Sequence, residues 1–97
     1  MGITLRCTAG PSAGESITVE VELVLGRDQS EPGRLGGDPR LSRRHARVFV
    51  DDAGRPTVED LGSTNGTKVN GVAVRERQLG AGDTITVGST TLRFEPV

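Results

Sequence analysis

Apolar and polar side chains alternate with period two along most of the chain. Ile3, Leu5 and Cys7 alternate with Thr4, Arg6 and Thr8; Ile17, Val19, Val21, Leu23 and Leu25 alternate with Thr18, Glu20 and Glu22. The same rhythm returns at Ala46, Val48 and Val50, at Ile85 and Val87, and at Leu92 and Phe94 against Arg93 and Glu95. Successive side chains of an extended chain point to opposite faces, so each set predicts a strand with one buried face. Turn chemistry separates the sets. Ala9 to Gly14 holds two Gly and a Pro, and Asp52-Ala53-Gly54-Arg55 reads as a hairpin loop. Asn70-Gly71 is the pair best suited to a two-residue type I′ turn, whose two central residues both need positive φ. Gly80-Ala81-Gly82-Asp83 and Gly88-Ser89 supply the last turns. Frequent turns leave hardly any window for a capped helix, and many short strands predict an all-β sandwich or barrel.

One stretch breaks the rhythm. Asp28 to Leu41 is polar and carries Pro32, Gly33, Gly36, Gly37 and Pro39. So long a loop is uncommon in a compact β domain and is often functional. It leads directly into Ser42.

Composition narrows the classes. With 97 residues the chain is expected to form one domain with a single core. Phe49 and Phe94 are the only aromatics, so that core should be aliphatic. The formal charge of −1 gives no global attraction to nucleic acid or anionic lipid. Cys7 is the only cysteine, which rules out an intrachain disulfide and a cysteine zinc cluster. The N-terminus shows no basic flank before an apolar run, and no apolar run is long enough to span a membrane. The expectation is a soluble, cytoplasmic domain without membrane insertion, monomeric in isolation.

The polar residues that could carry chemistry fall in three places, each at the end of a strand-like segment. Gly26-Arg27 closes the alternation before the long loop. A guanidinium is planar, forked and permanently charged, which suits two phosphate oxygens at once; read alone, Arg27 suits a solvated surface ion pair as well. Ser42-Arg43-Arg44-His45 offers a hydroxyl and more charge, or a turn held by Ser42 through its own backbone. His45 is the only histidine. A Ser42–His45 catalytic pair would need an orienting acid and an oxyanion hole, and nothing local supplies them; His45 reads as a buried, hydrogen-bonded structural residue. Gly62-Ser63-Thr64-Asn65-Gly66-Thr67 resembles a P-loop only at a glance. Three residues separate its glycines, Lys68 follows Thr67 instead of preceding it, and no helix pattern comes next. What remains is a rigid loop displaying Thr64 and Asn65, with an amide able to clamp a peptide backbone through its C=O and NH2. Arg40, Arg43, Arg44 and Arg47 raise a nucleic-acid alternative, opposed by the net charge and by the lack of Trp and Tyr for stacking. No enzyme activity, cofactor or metal site is expected.

Taken together, Gly-Arg, then Ser-x-x-His about fifteen residues on, then Ser-Thr-Asn-Gly-Thr and Asn-Gly, resemble the signature of forkhead-associated domains over nearly the whole chain. The resemblance implies a β-sandwich of two mostly antiparallel sheets and about eleven strands. Loops at one end of it would bind phosphothreonine peptides in Ser/Thr kinase signalling. By matching position, Arg27 and Ser42 would bind the phosphate and Arg43 would add a further contact. Thr64 would line the site and Asn65 would hold the peptide backbone. Arg40 stands where some members read the residue three after the phosphothreonine, which implies an acidic preference there. Gly26, His45, Gly66, Asn70 and Gly71 would support the loops. Family members usually sit inside larger regulatory proteins. The chain departs from the family pattern at Gln29 to Arg34, where only Leu35 resembles the expected apolar anchor, and specificity is expected to be set there. The rival within the family is an interaction domain that no longer needs the phosphate.

Overall fold

A computed structural model describes residues 3–27, 35 and 37–96. Most of the loop expected to set specificity, residues 28–34 and 36, lies outside them. The described residues contain no helix and form ten strands, against about eleven expected: β1 (Ile3–Ala9), β2 (Ser16–Val19), β3 (Glu22–Leu25), β4 (Ala46–Val50), β5 (Pro56–Asp60), β6 (Thr67–Val69), β7 (Val72–Val74), β8 (Glu76–Gln78), β9 (Thr84–Val87) and β10 (Thr90–Pro96). They build two wholly antiparallel sheets. One has six strands in the order β2-β1-β10-β9-β6-β7, and the other four in the order β3-β4-β5-β8.

The core lies between the sheets and is almost entirely aliphatic. Leu5, Ile17, Val19, Val69, Ile85, Val87 and Leu92 enter it from the six-stranded sheet, with Phe94 as its one aromatic. Leu25, Ala46, Val48 and Val58 enter from the other. Each fully buried Val, Leu or Ile contributes about 1.5–3 kcal/mol of transfer free energy. Phe49, the second aromatic, points outward, with the Arg47 guanidinium 3.9 Å from its ring centre. Arg47 in turn is ion-paired to Glu59 and Glu22.

One predicted strand is corrected. The alternation from Ile17 to Leu25 belongs to two strands, β2 and β3, in different sheets. Val21 lies in the link and is 71% exposed, while its carbonyl accepts the Val50 N–H at 3.0 Å. The pattern runs on across the break because both sheets face one core: period two reads which side is buried, not which sheet a residue joins.

The turns follow their residues. Asn70 and Gly71 have φ of 52° and 82° and join β6 to β7 through a two-residue loop, as a type I′ turn requires. Asp51 caps the β4–β5 turn, its Oδ1 accepting from the Ala53 and Arg55 amides at 2.9 and 2.8 Å. Gly88, with φ of 60°, opens the two-residue β9–β10 turn.

Candidate functional site

At one end of the sandwich, three connections meet: Gly26-Arg27 after β3, Leu35 and residues 37–45 before β4, and residues 61–66 between β5 and β6. Backbone bonds join the first two. The Gly26 carbonyl accepts the Leu35 N–H at 3.0 Å, and the Arg27 N–H donates to the Ser42 carbonyl at 3.1 Å. Leu35 and Leu41 plug into the core and hold the loop down.

A buried carboxylate finishes that anchoring. Asp38 accepts the Arg40 N–H at 3.0 Å through Oδ1, and the Ser89 N–H at 2.8 Å and Thr90 hydroxyl at 2.7 Å through Oδ2. Burial pushes this carboxyl up, but the bonds from Thr90, Ser89 and Arg40 outweigh it, and the pKa lies below the ordinary aspartate value. Gly88 is part of the same joint. A Cβ there would stand 2.9 Å from Asp38 Oδ2 and 3.0 Å from backbone atoms of Arg40 and Leu41.

Asp60 does the equivalent for the third loop. Its Oδ2 accepts the Gly62 and Ser63 amides at 3.0 and 3.1 Å, while Oδ1 accepts the Ser63 and Thr67 hydroxyls at 2.5 and 2.8 Å. Ser63 Oγ accepts the Gly66 N–H at 2.9 Å, which closes the turn. Here too burial raises the pKa, and the bonds from Ser63, Thr67 and Gly62 pull it below the ordinary value.

His45 ties the loops together. Its side chain is fully buried. Nδ1 accepts the Ser42 N–H at 3.1 Å, and Nε2 lies 2.7 Å from the Gly66 carbonyl. A carbonyl cannot donate, so Nε2 carries the proton and Nδ1 the lone pair. Ser42 is then bound from a second side, because its Oγ accepts the Thr64 N–H at 3.1 Å. With that lone pair occupied, the hydroxyl still has its own proton to donate. Asn65 Nδ2 donates to the Arg40 carbonyl at 2.7 Å, and its Oδ1 and second N–H remain for other work.

The result is a cleft of about 330 Å³ lined by Arg27, Arg40, Ser42, Arg43, Thr64 and Asn65, with Pro39 and Leu41. All six polar residues expected to face a ligand therefore share one cavity. Of the expected supporting residues, Gly26, His45 and Gly66 bond directly within these loops. Asn70 and Gly71 stand at the other end of β6, where Asn70 binds Thr84 N at 3.0 Å and Asp83 at 3.0 Å. Three residues that matter here carried no sequence-level role: Asp38, Asp60 and Gly88. Their signals were an Asp before Pro39 and an Asp two residues before Gly62, both turn-forming patterns, and a Gly in a predicted turn. Among the described residues no cluster of His, Cys, Asp or Glu could hold a metal ion, and no helix is long and apolar enough to cross a membrane.

The family model for the FHA domain matches residues 23–88, so the chain belongs to the forkhead-associated domain family. Such domains are interaction modules. The chain is 35% identical over 94 residues to the FHA domain-containing protein FhaA of Mycobacterium tuberculosis, covering 84% of this chain and 18% of the relative. It is 33% identical over 85 residues to the oxoglutarate dehydrogenase inhibitor of Corynebacterium efficiens, covering 88% and 59%. It thus spans less than two thirds of either relative. A solved structure from work on phosphothreonine-dependent FHA domain interactions superposes with a TM-score of 0.85 at 33% identity, covering 100% of this chain and 98% of the other.

Proposed function

We propose that the cleft captures phosphothreonine-containing segments of partner proteins, without chemical change to them. The observation that carries this reading is the composition of the cleft: guanidinium groups, a hydroxyl with its proton to give, and a side-chain amide, delivered by three separately braced loops. Phosphothreonine brings about −1.5 to −2 charge and three strong acceptor oxygens at pH 7. Arg27 and the Ser42 hydroxyl would bind those oxygens, with Arg43 adding a third contact. Thr64 would border the threonine side chain. Asn65 would use its remaining Oδ1 and N–H on the peptide backbone, and Arg40 would favour an acidic residue further along. Each charge-assisted hydrogen bond contributes roughly 1.5–3 kcal/mol, so two or three separate the phosphorylated from the unmodified peptide by several kcal/mol. An Asp or Glu in place of the phosphothreonine offers one charge and two coplanar oxygens, and would bind poorly.

The setting is phosphorylation-dependent assembly downstream of Ser/Thr kinases, in a longer regulatory protein. That context is supported by the family and by the small share of FhaA that the chain covers. Titration calorimetry on one threonine peptide, with and without its phosphate, tests the reading. Binding of the phosphorylated form alone is expected, with Arg27→Ala weakening it about ten- to a hundredfold while circular dichroism stays unchanged. Equal affinity for both peptides would instead make this a phosphate-independent member of the family.

A further inference from the structure

The outer face of the six-stranded sheet carries a charge pattern that the fold does not require. Arg6 on β1 and Arg93 on β10 stand directly opposite each other in the antiparallel register. Both are exposed, on strands whose neighbouring residues Leu5, Cys7, Leu92 and Phe94 are buried. Like charges in that position destabilise a strand pair. Arg6 reaches Glu95 at 3.5 Å, whereas Arg93 has no acidic partner within ion-pair distance among the described residues. Lys68 on β6 points to the same face and is likewise unpaired among them. Around these cations the face is hydroxyl-rich. Lys68 pairs across the sheet with Thr86, Thr86 with Thr91, and Arg93 with Thr84.

This face is continuous with the loop-end cleft. A second, smaller cleft of about 70 Å³ is bordered by Arg40 and Asn65, which also line the main one, and by Lys68 and Thr86. Asn65 and Arg40, joined by a hydrogen bond of 2.7 Å, are common to both. A chain whose backbone crosses Asn65 would pass into the small cleft and out over Lys68, Thr86 and Arg93.

We infer that this strip is a second anchoring surface, holding an acidic segment of the same partner beyond its phosphothreonine. The inference rests on the phosphothreonine reading for its direction, and on charge and continuity for its occupant. The small cleft has room for one carboxylate between Arg40 and Lys68. Arg93 then takes a later acidic side chain, relieving its opposition to Arg6.

Two peptides, one a short phosphothreonine peptide and the other the same peptide with a run of Asp and Glu added at either end, separate the possibilities. The acidic extension is expected to raise affinity about tenfold at low salt, equal to about 1.4 kcal/mol. Lys68→Glu and Arg93→Glu, both fully surface changes, should each erase most of that gain and leave the short peptide's affinity unchanged. Arg27→Ala should weaken both peptides alike. An extension without effect, or a gain that survives both charge reversals, overturns the inference while leaving the cleft reading intact. An unphosphorylated acidic peptide, followed by amide chemical shifts, reads the surface independently of the cleft. Millimolar binding that shifts Lys68, Thr86, Thr91 and Arg93 supports the inference even if phosphothreonine itself fails to bind. No shifts there, or duplex DNA or anionic vesicles displacing the acidic peptide from this face, overturns it.

Discussion

Both ring nitrogens of His45 are committed, one to Ser42 and one to Gly66, in a site closed to water. Truncation to Ala would leave a buried N–H and a buried carbonyl unsatisfied and open a cavity. Together these cost about 2–4 kcal/mol, or a melting temperature lower by roughly 10–25 °C for a domain of this size. Thermal unfolding by circular dichroism checks this; a shift of only a degree or two would show that His45 does not brace the loops. Asp38 and Asp60 act by charge as well as shape. Their carboxyls titrate below the ordinary value in the folded chain. Lowered folded pKa values mean that their contribution is fully present above the unfolded value, about 3.9, and is lost as pH falls through the folded ones. Asp60→Asn should therefore destabilise the domain at pH 7, with the gap from wild type narrowing as urea unfolding is repeated below about pH 4. A gap independent of pH would mean that only the geometry of the Asp60 bonds matters.

At the level of elements, the joint between the β9–β10 turn and the 38–41 loop can be separated from ordinary turn strain. Gly54 and Gly88 both have positive φ, of 80° and 60°. A Cβ at Gly54 meets nothing within 4 Å, whereas at Gly88 it meets Asp38 and the backbone on either side of the Arg40–Leu41 bond. Gly54→Ala should cost about 1–2 kcal/mol of stability, the steric cost of a Cβ in the left-handed region, and leave peptide affinity untouched. Gly88→Ala should cost more and also weaken phosphopeptide binding, because the loop presenting Arg40 and Ser42 must move. Similar affinities for the two variants would show that the joint does not position the cleft. Burial decides which elements show in the sequence. β1, β4 and β9 alternate buried with more exposed residues over most of their length, as does β10 from Thr90 to Glu95, and all four were visible as alternation. β8, Glu-Arg-Gln, is exposed throughout and has no apolar face to reveal it. β5 buries Thr57 and Val58 in succession, which breaks the period. β6 and β7 are three residues each and are betrayed only by the Asn70-Gly71 turn between them. In the cleft, Arg27, Ser42, Thr64 and Asn65 stood out by chemistry and by the order of their motifs. Asp38 and Gly88 did not, because their meaning lies in a contact across some fifty residues of sequence, which no local pattern encodes.

Over the whole molecule, 12 Lys and Arg nearly balance 13 Asp and Glu, so the cationic character of the loop end is local. Another acidic group, Glu22, Asp51 and Asp52, borders a cleft of about 380 Å³ beside Phe49, at the far end of β3 and β4. A balanced molecule with one arginine-lined cleft responds to salt differently from a nucleic-acid binder. Duplex DNA releases about 0.9 counterion for each phosphate neutralised, so several contacts give a steep logarithmic slope. A short phosphopeptide has no condensed counterion layer, and it would bring one dianion to a few fixed donors, so few charges are open to screening. Raising salt from 50 to 200 mM should therefore weaken a short phosphothreonine peptide less than about tenfold. A peptide with an acidic extension should lose more, because its added contacts lie on the open sheet face, where screening is full. Isothermal titrations of the two peptides across that range give two slopes. A steep slope for the short peptide would mean that diffuse charge, and not the braced set of Arg27, Ser42 and Asn65, holds the ligand.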